Sequence, residues 1–494
     1  MSRISSFRAL LLPAWLLALW LGSTAAVAQT APPCPPRQTT PPTQLADLLG
    51  EVLCADGRTR LAWQQIQLQS ARLDGQRATR LPELGLRLES TREAGALAAS
   101  SGRSHTASLE LGWLLLDGGR REAATRAAGM AVSEALAQRD SAFQSVLLDT
   151  VQAHHAVLDA QQVVQVRQAL RESLAPLQST VQQRHRAGQA DHTDLLTLRQ
   201  AHTRNQIGLR DATLALSVAR ARLSSLTGRP PDSAWPTLAG DTLSTTDTAA
   251  TAASERIERS LAQALAQHPE LAAAQARIGA SRAALDQADR AGRPSLGLSQ
   301  SIGRGRRTGD GADGSPTAGS ARQTTLALSW PLFDGGVRQS QQQAARIELD
   351  SARTTLDDQR QRLSLGAWEA YLEWRTATAV QDEHQELTRL ARGLLFAENT
   401  RYQSGGDDAS LSDLLSARQD WTDALVEQQQ AHSRQRLSAW RLVASLGQLD
   451  PGGGARSGAL PAPVETVAPP VRPAPARGCQ PGMAAPGDGW CVPR

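Results

Sequence analysis

The residues with the greatest capacity for chemistry in this 494-residue chain are its histidines, its cysteines and a few aspartates. His154 and His155 are adjacent, and His192 and His202 stand alone, so none of them has the spacing of a metal-ligand set or a carboxylate partner. We expect these four histidines to be solvated positions on helices. No nucleophile with a base and an orienting group is evident, and the sequence therefore predicts no enzymatic activity, metal or cofactor.

Three aspartates follow breaks in helical patterns: Asp191, Asp194 and Asp413. A carboxylate at the start of a helix accepts hydrogen bonds from free backbone N–H groups and complements the positive end of the helix dipole. We therefore expect all three to lie at the starts of helices. There they either cap the helix or attract a cation that passes it.

The N-terminus carries an export signal. Arg3 and Arg8 precede an apolar stretch at residues 9–21, and residues 26–28 read Ala-Val-Ala. A basic start, an apolar core and an A-x-A site are typical of a secretory signal peptide. Cleavage would leave Gln29 as the mature N-terminus, and no later stretch is apolar for the roughly 18 residues of a transmembrane helix. We expect export across the inner membrane without a helical anchor.

The four cysteines lie near the two ends of the chain. An exported protein meets an oxidising compartment, so disulfides are expected, and three pairings are possible. We favour Cys34 with Cys54 and Cys479 with Cys491, because each pair closes a short loop. Spacings of 20 and 12 residues lack the short C-x-x-C pairs of structural zinc sites.

Composition narrows the class of protein. A formal net charge of +4 gives no nucleic-acid-binding footprint, and only 3% of the residues are aromatic. So few aromatic side chains are poor material for one large globular core. They suit long, thin helices that pack through Ala, Leu and Val.

Two segments repeat each other about 217 residues apart. The order of the other helices and strands is predicted from their positions. Leu109–Arg120 reads LELGWLLLDGGR, and Leu326–Arg338 reads LALSWPLFDGGVR. Each begins with alternating apolar residues, as a strand does, and breaks at a Gly-Gly pair before a long helical pattern. The strand-to-helix breaks are predicted at Gly118, Gly119, Gly335 and Gly336.

Each repeat is predicted to run helix, strand, loop, strand, long helix, return helix. The helices before the strands are predicted over residues 43–80 and 254–290, and the loops between strands over 91–104 and 303–323. The second of these loops contains Arg304, Arg306 and Arg307.

The long helices, at residues 119–185 and 336–402, have 67 residues each, which is about 100 Å at 1.5 Å per residue. No ordinary globular domain holds two such helices. Pro176 is expected to kink the first or to break a backbone bond near Glu172. The helix-tip bends are predicted at Gly188, Gly405 and Gly406. The predicted organisation is a signal peptide (1–28), an N-terminal periplasmic segment (29–43), a first repeat (44–227), a linker (228–253), a second repeat (254–447) and a Pro/Gly-rich tail (448–494).

Strands with Leu and Trp on one face and small or charged residues on the other suit a lipid-embedded β-barrel, since lipid cannot satisfy a free sheet edge. Four strands per chain cannot close a barrel, so several chains must contribute, and three would supply about 12 strands. Trp113 and Trp330, near strand ends, are then expected in an interfacial aromatic belt. The alternative is a soluble β-sandwich with the tryptophans in its core. A β-sandwich does not accommodate the two long helices.

From about residue 43 to 447 the chain resembles the TolC family of outer-membrane efflux and secretion ducts. The resemblance lies in the strand-end segment Trp330–Gly336 with its first-repeat counterpart, and in the two helix bends, His185-Arg186-Ala187-Gly188 with Asp194-Leu195-Leu196 and Tyr402-Gln403-Ser404-Gly405 with Asp413-Leu414-Leu415. It implies an internally duplicated α+β membrane protein: a homotrimer whose 12-stranded outer-membrane β-barrel continues into a long periplasmic α-helical barrel. It also implies two partners, a periplasmic adaptor protein and an inner-membrane ABC or RND transporter.

The resemblance further implies a gate at the helix tips. The positions that match the family's gate are Asp194 and Asp413, with Tyr402 in the same network. The second bend is two residues longer than the first, and Asp407 or Asp408 is expected to supply a second acidic position found in some relatives. Three copies of each carboxylate around a narrow pore would attract cations and repel anions.

The predicted function is the exit duct of a tripartite export machine, and type I protein secretion is favoured over drug or metal efflux. The early Cys34 and Cys54, the segment 53–60 and an N-terminus without lipid attachment look more like the secretion branch. A periplasmic adaptor would need one helical hairpin flanked by soluble β-domains, and a fibrous coiled coil would need sustained heptads. The two hairpins here fit neither alternative.

Overall fold

The computed structural model describes residues 41–42, 44–93, 102–238, 244–309, 317–404, 410–449, 483–484 and 492–493. The chain divides into a large unit, Met1–Ala455, and a small one, Arg456–Arg494. The described residues of the small unit form two short paired strands, β5 (Met483–Ala484) and β6 (Val492–Pro493). The predicted signal peptide and Cys34, Cys479 and Cys491 lie outside the described residues.

The first repeat contains four helices and two strands: α1 (Leu45–Ala55), α2 (Gly57–Ala78), β1 (Glu83–Glu93), β2 (Gly102–Leu116), α3 (Arg120–Arg186) and α4 (His192–Thr227). The prediction of one helix over residues 43–80 is wrong, because the chain breaks at Asp56. This residue has an extended backbone (φ −65°, ψ 135°), and its carboxylate accepts a hydrogen bond from the Arg58 N–H at 2.7 Å, which caps α2.

The second repeat contains five helices, a 3₁₀ turn and two strands: α5 (Ser244–Arg259), α6 (Leu261–Ala264), α7 (Pro269–Asp289), the turn (Arg290–Gly292), β3 (Ser295–Gly309), β4 (Thr317–Ser329), α8 (Val337–Ser404) and α9 (Leu411–Ser445). The prediction of one helix over residues 254–290 is wrong. α5 begins inside the predicted linker, and Pro269, which has no N–H, occupies the first position of a new helix.

Both loops between strands are shorter than predicted. β1 extends to Glu93 and β3 to Gly309, so Arg304, Arg306 and Arg307 lie in a strand and not in a loop. Alternation of arginine with glycine keeps the period of a strand without apolar residues, and hydrophobic periodicity cannot detect it.

The four long strands form one antiparallel sheet in the order β1-β2-β3-β4. β2 pairs with β3, from Gly102 opposite Gly309 to Trp113 opposite Leu298, so the sheet joins the two repeats. β1 and β4 are its edges. Directly opposed residues share a face, and successive residues alternate between faces. The register therefore assigns each paired side chain to one side of the sheet, and the one irregularity that interrupts the alternation lies between Leu114 and Leu116 of β2.

The prediction of two very long helices is confirmed: α3 has the predicted 67 residues, and α8 has 68, one more than predicted. Pro176 lies inside α3, which continues past it to Arg186. Proline has no N–H for the carbonyl of Glu172, yet this does not end the helix. None of the described helices is both long and apolar enough to cross a membrane.

Three apolar clusters hold the helices together. One joins α1 to α3, α4 and α9, and includes Val52, Val151, Leu223 and Trp440. A second joins α5 and α7 to α8 and α9. The third lies where α3 and α8 end and α4 and α9 begin: Leu170, Leu174, Val181, Leu198, Tyr402, Leu411, Leu414 and Leu415. This last cluster packs the two helical tips against each other.

Candidate functional site at the helix tips

The connection between α3 and α4 is a tight turn around Gly188. The N–H groups of Gly188 and Gln189 donate to the carbonyls of His185 (3.0 Å) and Arg184 (2.8 Å), which satisfies the end of α3. Gly188 has a φ of +74°, and no atom lies within 4 Å of the position that its Cβ would occupy. Backbone conformation, and not lack of space, therefore requires glycine at this predicted bend.

Asp191 and Asp194 cap the start of α4. Oδ1 of Asp191 accepts a hydrogen bond from the N–H of His192 at 2.8 Å. Oδ2 of Asp194 accepts one from the N–H of Asp191 at 3.2 Å, which completes a capping box. Asp194 is half-buried, so this predicted gate residue stabilises the helix start and keeps part of its surface accessible.

The second tip is less tightly capped. α9 begins after Ser410, whose side chain makes no capping hydrogen bond. Asp413 lies in the first turn of α9 and is exposed; the hydroxyl of Ser412 donates to its Oδ1 at 3.4 Å. Gly405, Gly406, Asp407 and Asp408 lie outside the described residues.

Tyr402 joins the two tips. Its side chain is buried, with 7% exposed, and the guanidinium carbon of Arg184 lies 4.6 Å from its ring centroid. Nη2 of Arg184 also donates to the Tyr402 carbonyl at 3.4 Å. This cation–π contact connects the end of α3 with the end of α8. The sequence placed Tyr402 at the tip but gave no signal for Arg184, which lies 218 residues away along the chain.

The two tips differ in charge. The last turn of α3 contains the basic residues Arg184, His185 and Arg186, and α4 starts with Asp191 and Asp194; among the described contacts no ion pair joins the two groups. At the second tip, Arg401 is paired with Glu398 at 2.9 Å, and the exposed Asp413 has no such basic counterpart among its described contacts. Of the two predicted gate residues, Asp413 is therefore the more exposed.

The Gly-Gly breaks form two similar strand-to-helix junctions. Gly118 and Gly119 have φ values of +65° and +86°, and the corresponding second pair, Gly335 and Gly336, has +67° and +93°. These left-handed conformations favour glycine. All four predicted breaks therefore lie at the turns that direct each strand into its long helix.

An aspartate and an arginine stabilise each junction. Asp117 accepts hydrogen bonds from the Gly119 N–H (3.1 Å) and the Arg121 N–H (2.7 Å), and pairs with the Arg121 guanidinium at 3.1 Å. Asp334 does the same with Gly336 and Arg338. Partial burial raises the pKa of both carboxyl groups, but these hydrogen bonds and the arginines outweigh it and hold each pKa below the ordinary value.

The two tryptophans lie at the helical ends of their strands, as the sequence predicted. Trp113 is in β2, and its Nε1 donates to the Arg80 carbonyl at 3.0 Å. Trp330 follows β4 directly and is 60% exposed. An interfacial role for both remains a prediction.

The histidine pair in α3 differs from expectation. His154 and His155 are 1% and 2% exposed, so the prediction of solvated positions is wrong for them. Burial lowers the pKa of His154 to about 4; burial, with smaller contributions from His154, Arg436 and His432, lowers that of His155 to about 3. A polar residue on the enclosed face of a long helix gives no sequence signal of its burial.

Cys54, at the end of α1, is disulfide-bonded, and its partner lies outside the described residues. The preferred pairing with Cys34 remains a prediction. Among the described residues, no group of three His, Cys, Asp or Glu side chains could hold a metal ion.

The chain is similar to known proteins over most of its length. The model of the outer membrane efflux protein family matches residues 48–229 and 260–448. Protein CyaE of Bordetella pertussis is 29% identical over 432 residues, which cover 84% of this chain and 87% of CyaE.

Two solved structures share the fold. The outer membrane protein VceC of Vibrio cholerae has a TM-score of 0.68 at 17% identity, and the match covers 83% of this chain and 96% of VceC. The CmeC outer membrane channel of Campylobacter jejuni has a TM-score of 0.68 at 18% identity, covering 85% of this chain and 91% of CmeC. The sheet and long helices described above are thus those of a known architecture.

Proposed function

Because the chain belongs to the outer membrane efflux protein family, we propose that it is the exit duct of a tripartite export machine and serves type I protein secretion. It lies in the outer membrane and extends into the periplasm. In this role it passes cargo from an inner-membrane pump to the exterior and catalyses no reaction itself.

The observation that carries the proposal is a sheet with two unpaired edges. Within the described part of the chain, β1 and β4 each pair on one side only. Unpaired backbone groups cost several kcal/mol each in lipid, so a membrane-embedded sheet must close. Pairing β4 of one copy with β1 of the next, in three copies, gives a barrel of about 12 strands. We infer a homotrimer on this basis.

The helices extend the duct. α3 and α8 follow their strands directly through the two junctions, and at 67 and 68 residues each would run about 100 Å. In a threefold assembly six such helices, with the shorter helices beside them, form the wall of a periplasmic tunnel. A tunnel of this length connects the outer membrane with a pump in the inner membrane.

The tips form the gate in this proposal. Tyr402 and Arg184 hold the two hairpins of one chain together, and Asp194 and Asp413 supply carboxylates around the entrance. Asp407 and Asp408 add charge at the second tip. The tips also meet the proposed partners, a periplasmic adaptor protein and, through it, an inner-membrane ABC or RND transporter.

Two observations favour secretion of a polypeptide over drug or metal efflux. The first is the similarity to CyaE along 84% of the chain. The second is the segment 53–60 with Cys54, which resembles the secretion branch of the family. This segment contains the break between α1 and α2. Efflux of small molecules is the alternative, and deletion of the gene separates the two. Loss of one exported polypeptide, with drug and metal tolerance unchanged, supports secretion; the opposite result selects efflux.

The first experiment on the duct itself is electron microscopy of the protein extracted from outer membranes in mild detergent. We expect a hollow threefold cylinder with a helical part about 100 Å long below a short barrel. Reconstituted in a planar bilayer, the same preparation should conduct ions. A solid rod or a monomer without conductance would overturn the proposal.

A further inference from the structure

The two faces of the sheet have opposite chemistry. We call the leucine face the side that carries the apolar residues Leu84, Leu86, Leu88, Leu109, Leu111, Trp113, Leu298, Ile302, Leu326 and Leu328, which the strand register places together. The other side carries mostly glycine, serine and threonine. On β2 the apolar residues run from Leu116 to Ala107, roughly 20 to 25 Å after allowing for tilt. That is the height of a lipid-facing band.

At the outer end of this band and past it, away from the helices, the leucine face becomes basic: Arg322 stands opposite Ile302 and Arg304 opposite Ala107. We call the arginine belt the five arginines that the register places there: Arg92, Arg103, Arg304, Arg306 and Arg322. All five are exposed. Arg92 stands directly opposite Arg103, and Arg306 directly opposite His105.

No carboxylate compensates the belt. The glutamates of the strands whose side chains are described, Glu83, Glu89 and Glu110, all fall on the opposite face by the same register. There Arg87 pairs with Glu110 at 3.4 Å, whereas none of the belt arginines makes an ion pair within the described part of the chain. Like charges directly opposite one another destabilise a sheet, so this arrangement calls for an anion from outside the chain.

We propose that the arginine belt is a binding site for the phosphorylated headgroups of outer-leaflet glycolipids. The inference rests on the proposed function, in which the leucine face meets lipid and the helices lie in the periplasm; the belt then lies at the outer leaflet. Acyl chains cover the leucines, and phosphate groups accept hydrogen bonds from the guanidinium groups. Arginine suits this role because its planar donors bind phosphate in pairs and its charge persists at all physiological pH values.

The site has a matched control within the same sheet. The double variant Arg304→Gln/Arg306→Gln removes two belt arginines from β3. The double variant Arg87→Gln/Arg307→Gln removes two arginines from the opposite face, and so changes the net charge of the chain by the same amount.

The test counts lipid A molecules retained per assembled protein, by native mass spectrometry, after extraction from outer membranes. Each basic contact near an anionic surface strengthens attachment several-fold, so the belt variant should retain about tenfold less lipid A than the wild type, and the control variant should match the wild type. In liposomes, the wild type should prefer lipid A that carries phosphates over dephosphorylated lipid A. Excess inorganic phosphate should leave this preference intact.

Three results would overturn the inference: equal retention by both variants, no preference for the phosphorylated lipid, or release by inorganic phosphate alone, which would indicate a simple anion site. Threefold assembly and ion conductance are measured on the same samples. A wild type that conducts but shows no lipid preference contradicts only the belt, whereas a wild type that neither assembles nor conducts contradicts the proposed function.

Discussion

The two long helices have nearly equal lengths and follow similar junctions, yet their surroundings differ. α3 is enclosed, because α1, α2, α4, α7 and α9 all pack against it. α8 packs mainly on α7 and α9, and its outer side carries large exposed apolar residues: Ile347, Leu365, Trp368, Leu372, Leu387, Leu390, Leu394 and Phe396. One copy of the chain therefore leaves the second repeat without a neighbour that the first repeat has.

The junctions show the same asymmetry at the level of single atoms. Arg293 and Arg290, from the second repeat, donate to the carbonyls of Gly118 and Gly119 at 3.0 and 3.1 Å. At the second junction, no atom lies within 4 Å of the Cβ positions at either glycine. The first junction is thus supported by arginines of the second repeat. An equivalent support for the second junction can come only from another copy of the chain. This comparison supports closure of the sheet by association of identical chains.

The largest expected effect separates folding from assembly. Val151 in α3 is fully buried, while Trp368, 217 residues later at the equivalent position in α8, is 44% exposed. Val151→Asp buries an unpaired carboxylate and should cost more than about 4 kcal/mol, which abolishes folding. Trp368→Asp should leave the folded chain intact and prevent the trimer. Circular dichroism measures the first outcome and sedimentation velocity the second.

The exposed polar residue Arg353 of α8 supplies a control, since Arg353→Gln should leave both helix content and association unchanged. If Trp368→Asp still forms trimers of normal stability, the apolar stripe of α8 is not the contact between copies. The difference between the two helices would then need another explanation.

The next effect concerns pH. His154 is buried and both of its ring nitrogens lack a hydrogen-bond partner, whereas Tyr371, the equivalent residue of α8, donates to Glu258 at 2.5 Å. Because the pKa of His154 falls to about 4 in the fold, only the unfolded chain takes up a proton between its ordinary pKa near 6.5 and about 4. Stability is therefore full above pH 6.5 and decreases as the pH falls.

At pH 5 the loss should be roughly 2 kcal/mol for His154 and a similar amount for His155. His154→Leu should remove about 2 kcal/mol of the loss at pH 5, as measured by urea unfolding between pH 5 and 8. His155, Arg436 and His432 face the same region, and burial also lowers the pKa of His268, so the contributions of His155 and His268 should persist. An unchanged pH profile in this variant would show that His154 does not carry the effect.

Alanine substitutions at the two junctions should differ in their cost in stability, by less than the effects above. An added Cβ at Gly118 would lie 2.4 Å from the Cβ of Arg293, whereas one at Gly335 would meet open space in a single chain. Both glycines have positive φ, so each alanine variant pays about 1 kcal/mol of backbone strain. Gly118→Ala should cost about 1 to 2 kcal/mol more because of the clash. Equal unfolding midpoints for the two variants, measured on dissociated chains in detergent, would contradict this account.

The sequence predicts what is local and repeated, and fails where the outcome depends on a distant element. The strand-to-helix junctions and the long helices follow from a period change and a Gly-Gly pair that occur twice. The break at Asp56 was missed because one aspartate before a glycine is weak against a long helical pattern. Burial of His154 and the contact of Arg184 with Tyr402 depend on which face of α3 is enclosed, and that is decided by helices far away in the chain.

The smallest expected effect compares the tips. Asp194 belongs to a capping box, so Asp194→Ala should destabilise the chain by about 1 kcal/mol. Asp413 is exposed and its side chain caps no backbone N–H among the described hydrogen bonds, so Asp413→Ala should change stability little.

In planar bilayers the order of the two residues should reverse, because Asp413 should have the larger effect on ion selectivity. Asp413→Asn removes an exposed carboxylate and should lower the preference for cations more than Asp194→Asn does, because the carboxylate of Asp194 is half-buried and bound in the capping box. Reversal potentials in a salt gradient measure this preference, and an equal shift in the two variants would show that both tips line the ion path alike.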